Sequence, residues 1–287
     1  VNPLEKRRLR VSAGEIAYLD LGDPETPPVV LIHGFPTSSF LWRRFLPAFS
    51  GEMRTIAPDM MGAGDSDKPA GKDLSMPAQA QYVRELAEGL GIQEFAVVGH
   101  STGGGVAQLL AIEGGVEAMV LIDSAAFDAW PAEDTRDLQR SAPDVGTPTI
   151  VHAVVQLALG MGIDHRSRLT AEVIEEYSRP WSGPEGPTAF IRWARSIDGV
   201  GLVGREEELG RLKCPVLILW GEDDPHFSVM VAERLNDAIP TSSLAILPGC
   251  SHFLPEDAPE TVASVVLEYL RSKYLRRPHS HGKSGPA

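Results

Sequence analysis

The chain has 287 residues, 43% of them hydrophobic and 23% charged, with a formal net charge of -13. That composition suits one large globular domain, or a domain with an insertion, and the length supports a sizeable core without disulfide or metal staples. The acidic balance argues against nucleic acid and anionic membrane surfaces as partners, since both need basic patches, and no apolar run approaches transmembrane length.

Residues 1–10 are charged and lack the apolar core of a signal peptide. Strands are expected over residues 16–21 and 29–32, a helix over 40–49, and a short strand over 54–57. Residues 76–90 carry helical periodicity, with Met76, Ala80, Val83, Leu86, Ala87 and Leu90 on one face. A strand over 95–98, a helix over 104–112 and a strand over 118–122 follow. From about 126 to 208 no strand pattern occurs; helical stretches are expected near 150–159, 171–177 and 188–196. Alternation then resumes, with strands at 216–220 and 243–247 and helices at 229–239 and 258–274. This order predicts an α/β fold, a mostly parallel sheet with helices on both faces. Residues 1–125 and 209–275 form its core, and 126–208 a helical cap over the C-terminal edge of the sheet. Residues 276–287 have no apolar periodicity and are expected to be disordered. Cys214 opens one strand and Cys250 follows another, so they are expected to be reduced thiols of a cytoplasmic protein. No His, Cys or Asp spacing suggests a metal site, and no cofactor is implied.

The strongest local signal is Phe95-Ala96-Val97-Val98-Gly99-His100-Ser101-Thr102-Gly103-Gly104-Gly105. A β-branched run stops at a serine between glycines, and a helical pattern starts at once. A turn that tight strains the serine backbone, lifts its hydroxyl clear of the sheet and sets it beside a helix N-terminus. A serine hydroxyl is a poor nucleophile without a base and a third group to orient that base. Both are on offer after later strands, in Gly221-Glu222-Asp223-Asp224-Pro225 and in Gly249-Cys250-Ser251-His252-Phe253. His252 is the candidate base. Glu222, Asp223, Asp224 and Asp123, which ends the strand after the elbow helix, compete for the acid. An oxyanion needs donors, and His33-Gly34-Phe35-Pro36 follows a strand, so the backbone N–H groups of Phe35 and Thr102 can converge on one oxygen. His33 and His100 are read as structural. Trp130, Tyr177, Trp181 and Trp193 of the cap, with His226 and Phe253, are candidates for an apolar pocket wall.

In these motifs the chain resembles α/β-hydrolase fold enzymes, closely the branch containing haloalkane dehalogenases and epoxide hydrolases. The supporting stretches are His33-Gly34-Phe35-Pro36-Thr37-Ser38-Ser39 and Pro58-Asp59-Met60-Met61-Gly62-Ala63-Gly64-Asp65-Ser66-Asp67-Lys68-Pro69. The elbow, residues 221–225 and residues 249–256 complete the set. Family spacing places the acid three residues after Gly221, which selects Asp224 and leaves Asp123 as the alternative. The departures are informative. That branch uses an aspartate nucleophile where this chain has Ser101. Dehalogenases carry Trp and Asn where this chain has Thr102 and Phe35. Serine on this frame resembles esterases and lactonases, so hydrolysis of an ester or lactone of a small, largely apolar substrate through an acyl-enzyme is expected. C–C bond hydrolysis, cofactor-free oxygenation and a non-catalytic small-molecule receptor are the alternatives on the same frame.

Overall fold

The computed structural model describes residues 5–131, 133–140 and 146–276. Among the described residues eight strands form one sheet. They are β1 (Arg7–Val11), β2 (Gly14–Leu21), β3 (Pro28–Ile32), β4 (Arg54–Pro58), β5 (Phe95–His100), β6 (Val116–Ile122), β7 (Val216–Gly221) and β8 (Ser242–Leu247). Their spatial order is β1-β2-β4-β3-β5-β6-β7-β8. β2 pairs antiparallel with β1 and β4, and every other neighbouring pair is parallel. This is the mostly parallel α/β sheet expected. After β3 the chain steps to one side for β4 and then to the other for β5, so the order reverses between β3 and β5. In open α/β sheets ligands bind at such a reversal, beyond the C-terminal strand ends. Here those ends carry His33-Gly34-Phe35-Pro36 and Ser101.

Alternate side chains of the central strands feed two separate cores. Val29 and Leu31 of β3 pack on one face with Trp42, Phe45, Phe49 and Tyr274. Val30 and Ile32 pack on the other with Val83, Leu86, Val106 and Leu110. Burial on both faces explains why β5 and β7 are buried throughout and run apolar up to their ends rather than alternating. Each fully buried Leu, Val or Phe contributes roughly 1.5–3 kcal/mol, so both faces must be covered before the ordering cost is met.

The helices of the core are α1 (Leu46–Phe49), α2 (Met76–Gly89) and α3 (Thr102–Glu113). Between β6 and β7 lie α4 (Glu133–Arg140), α5 (Pro148–Met161), α6 (Ala171–Ser178), α7 (Gly186–Ser196) and α8 (Glu206–Gly210). No strand occurs there among the described residues. After β7 come α9 (Val229–Ala238), α10 (Leu254–Asp257) and α11 (Pro259–Leu270). Thr147 and Thr170 cap α5 and α6 by accepting from the N–H groups of Ile150 and Val173.

Three elements differ from expectation. Residues 40–49 form a 3-10 turn (Ser39–Trp42) and the short α1, not one helix. Pro47 is the cause: its ring and missing N–H confine it to a first helical turn. Residues 258–274 hold α11 and then a π-helical turn (Arg271–Leu275) that keeps Tyr274 buried. The charged segment Arg7–Val11 is an edge strand, mostly exposed and paired only with β2, which is why it lacks an apolar pattern. Of the tail expected to be disordered, residues 277–287 lie outside the described residues.

Candidate active site

Ser101 stands between β5 and α3 with φ 53° and ψ -122°. A positive φ costs a non-glycine residue energy, and the surroundings hold it there. Its N–H donates to Ile122 O at 3.0 Å, and its carbonyl accepts from Gly104 N and Ala125 N, both at 2.9 Å. The Oγ is buried and has no hydrogen-bond partner among the described residues. Two glycines permit the close packing around it. A Cβ on Gly34 would lie 2.5 Å from Ser101 Cβ, and one on Gly103 would lie 2.4 Å from the carbonyl oxygens of Ile32 and His33.

His252 comes from the loop between β8 and α10. Its Nδ1 lies 2.9 Å from Asp224 Oδ2, with the two side chains 3% and 0% exposed. A carboxylate oxygen accepts, so Nδ1 carries the hydrogen and Nε2 is left as the basic nitrogen. Asp224 is fixed in turn, because its Oδ1 accepts from His226 N at 2.7 Å and Phe227 N at 3.0 Å. His100 is fully buried and its Nε2–H donates to the carbonyl of His252 at 2.9 Å. Burial first, and then the neighbouring His252, pushes His100 well below the usual histidine pKa, so it stays neutral. It links the strand that carries the serine to the loop that carries the base. His33 accepts from Met60 N at Nε2, 2.9 Å, and donates from Nδ1 to Gly34 O, 3.0 Å. Burial holds its pKa down at about 4, as befits a neutral clamp on the Gly34–Phe35 loop.

Asp123, the alternative acid, bonds elsewhere. Its Oδ1 accepts from Gly221 N at 2.8 Å, pinning the end of β7, while Asp224 takes the imidazole. Burial, and then the charge of Asp224, pushes the Asp123 carboxyl well above the usual range. Folding therefore draws a proton toward Asp123 at any pH between the unfolded and the raised folded pKa. That cost grows as pH rises above the unfolded value of about 3.9 and stops growing only at the raised folded pKa. Asp123→Asn is neutral at every pH and escapes it. The Tm of this variant, relative to the parent protein, should be higher at pH 8 and should lose that advantage as pH falls toward 4. A Tm difference that does not change with pH would show that Asp123 ionises as readily in the fold as in the unfolded chain.

A cavity of about 310 Å³ opens at the C-terminal edge of the sheet, with Phe35, Ser101 and His252 in its wall. Trp130, His226 and Phe253 line it as well. Tyr177, Trp181 and Trp193 do not. Tyr177 is buried with its hydroxyl donating to Glu256 at 2.5 Å, beside the bidentate Arg43–Glu256 pair. Trp181 stacks on Trp193, and Trp193 packs against Phe35, 4.9 Å between ring centroids. These aromatics serve as packing behind the wall, because a large ring buries more area between helices than at a half-open mouth. The lining residues missed from sequence are Pro36, Thr135 and Leu138 of α4, and Val154, Leu157, Ala158 and Met161 of α5. One signal pointed to α5: its apolar residues surround the helix, so Leu157 and Met161 are 63% and 41% exposed. No lysine or arginine lines the cavity among the described residues.

Phe35 N–H donates to Thr102 Oγ1 at 3.1 Å. Thr102 N–H belongs to the first turn of α3, where the backbone has no intrahelical acceptor. Cys214 and Cys250 are buried and not joined in a disulfide, and burial pushes the Cys250 thiol up to about 11. Among the described residues no cluster of three His, Cys, Asp or Glu could hold a metal ion, and no helix is long and apolar enough to cross a membrane.

Comparison with known proteins identifies the family. Residues 27–259 match the model of the alpha/beta hydrolase fold family. The chain is 28% identical over 278 residues to haloalkane dehalogenase 2 of Mycobacterium tuberculosis (strain ATCC 25618 / H37Rv), covering 93% of this chain and 95% of that protein. It is 26% identical over 289 residues to epoxide hydrolase 3 of Xenopus tropicalis, covering 93% and 78%. The crystal structure of a bacterial membrane phospholipase A superimposes with a TM-score of 0.81 at 26% identity, over 96% of this chain and 87% of that one. With a family match across most of its length, a reversed parallel sheet and the named relatives all hydrolases, the chain belongs to the α/β-hydrolase fold family.

Proposed function

We propose that this protein is a serine hydrolase that cleaves an ester or lactone of a small, apolar, uncharged substrate through an acyl-enzyme. The observation that carries this is His252, paired with the buried Asp224, in the wall of one cavity with Ser101, whose backbone is strained and whose hydroxyl has no partner among the described residues. In this reading Ser101 Oγ attacks the carbonyl carbon and His252 Nε2 takes the proton. Asp224 holds the ring in the required tautomer and steadies its cationic form. The N–H groups of Phe35 and Thr102 stabilise the oxyanion, as two donors converging where charge develops. The protonated histidine then gives its proton to the leaving alkoxide, and water repeats the sequence on the acyl-enzyme. Residues 1–125 and 209–275 act as the catalytic core and 126–208 as a cap whose α4 and α5 close the cavity. The apolar wall and the lack of a lysine or arginine among its described residues favour a neutral substrate, since a buried carboxylate would lose hydration with no countercharge.

A panel of p-nitrophenyl esters of graded chain length, with lactones and a fluorophosphonate probe, tests this reading. Turnover and Ser101-dependent labelling are expected. A chain that neither turns over nor labels would be a binding protein on this frame.

The branch relatives set a further expectation. A carboxylate nucleophile makes an alkyl ester that water can open, whereas serine attack on a haloalkane would leave an ether. Ser101, Thr102 and Phe35 therefore predict no dehalogenation. Halide release from 1-chlorohexane or 1,2-dibromoethane should match the rate without enzyme. Sustained release that Ser101→Ala eliminates would overturn the serine hydrolase reading.

A further inference from the structure

The Phe35 N–H, one of the two oxyanion donors proposed above, already has an acceptor in the free protein. It donates to Thr102 Oγ1 at 3.1 Å, and Thr102 is 0% exposed. Oγ1 thus stands along the direction from which a substrate oxygen would approach that N–H. A hydroxyl in this place is more than a plug. It accepts with a lone pair and still has its own hydrogen to donate. Among the described residues this is the one hydrogen bond of the Thr102 side chain, so its hydroxyl hydrogen has no acceptor among them. A donor left over directly beside the candidate serine nucleophile can take a partner that arrives later. Two physical effects sharpen the donor. Accepting from Phe35 N–H polarises the O–H bond. Thr102 also begins α3, where the helix field favours negative charge nearby.

We propose that the Thr102 hydroxyl is a third donor to the oxyanion, a role separate from that of the Thr102 backbone N–H. In the free enzyme it holds Phe35 N–H in place. When the bond from Ser101 Oγ to the carbonyl carbon forms, the carbonyl π pair moves onto oxygen and the serine proton passes to His252 Nε2. Thr102 keeps its proton throughout and shares it with the new oxyanion as a hydrogen bond, while Phe35 N–H exchanges Oγ1 for the oxyanion as its acceptor. This inference rests on the serine hydrolase reading and extends it to a side chain.

The test compares Thr102→Val, which keeps the volume without the hydroxyl, with Thr102→Ser, which keeps the hydroxyl. On a p-nitrophenyl ester Thr102→Val should lose about 10²-fold in kcat with KM within a few-fold, the signature of an interaction made only in the transition state. Thr102→Ser should recover most of that loss. Affinity for an apolar trifluoromethyl ketone, which forms an oxyanion on Ser101, should fall in step with kcat/KM. If Thr102→Val does not fold, as judged by Tm and circular dichroism, Thr102→Ala against Thr102→Ser carries the same comparison. A kcat at or above the parent value in the variants without the hydroxyl would show that it only blocks Phe35 N–H, and would overturn the proposal. A loss that Thr102→Ser does not rescue, or that leaves the ketone affinity unchanged, would reduce Thr102 to a structural role and overturn it equally. Failure of the serine hydrolase reading is separable, because it shows in the unaltered protein as absent turnover and absent fluorophosphonate labelling, and it removes this proposal with it.

Discussion

Ser101→Ala is expected to lower kcat on any ester substrate by about 10³-fold or more, with the fold intact. The magnitude follows from the way nucleophile, base and acid act as one unit: without the nucleophile the other two have nothing to activate. The residual rate comes from binding and oxyanion donors alone. Stability should change little. The Oγ makes no hydrogen bond among the described residues, and the backbone is held by Ile122, Gly104 and Ala125 irrespective of the side chain. Alanine at φ 53° bears about the same strain as serine. Steady-state kinetics with circular dichroism and a melting curve checks both halves. Turnover within a few-fold of the parent protein would remove Ser101 from the chemistry.

Asp224→Asn is expected to cost about 10⁴-fold in kcat/KM, and Asp123→Asn far less. The size of the first effect comes from the tautomer. An amide at position 224 can turn its NH₂ toward Nδ1, which then accepts and leaves the hydrogen on Nε2, where the serine proton must go. The steadying charge for the imidazolium is lost as well. Asn still offers an oxygen to the N–H groups of His226 and Phe227, so the loop should survive. Asp123 bonds Gly221 N and not the imidazole, and a carboxyl pushed well above its usual range is mimicked by an amide. The reverse ranking of the two variants in kcat/KM would assign the acid to Asp123.

Much of the site was legible because its signals are local. A β-branched run, Gly-x-Ser-x-Gly and a helical pattern occupy eighteen or so consecutive positions, and each half constrains the other. Acidic and histidine candidates at the ends of apolar strands were equally visible, since strand ends in a parallel sheet all emerge on one edge. Choosing Asp224 over Asp123 was not possible from periodicity. Both residues follow strands, and only the three-dimensional path of the 221–227 loop turns one carboxylate to the imidazole and the other to Gly221 N.

Local pattern by itself determined the alternation of strands and helices, the strand-free stretch between β6 and β7, and the position of the serine, because each depends on residues close in the chain. Tertiary structure alone decided what packing and long-range hydrogen bonds govern. The edge strand Arg7–Val11 exists through its pairing with β2, which no apolar stripe announces. Which aromatics between β6 and β7 face the cavity depends on tertiary packing: Trp130 lines it, whereas Trp181 and Trp193 stack behind Phe35. Phe35 and Thr102 are 67 positions apart, and so are joined only because β3 and β5 pair in register from Val29–Ala96 to Ile32–Gly99. His100 reaches the carbonyl of His252 across 152 positions for a similar reason, since β5 and β8 both deliver their C-terminal loops to one edge of the sheet. Contacts of this kind are set by strand order and register, which depend on the summed packing of both sheet faces and not on any one segment.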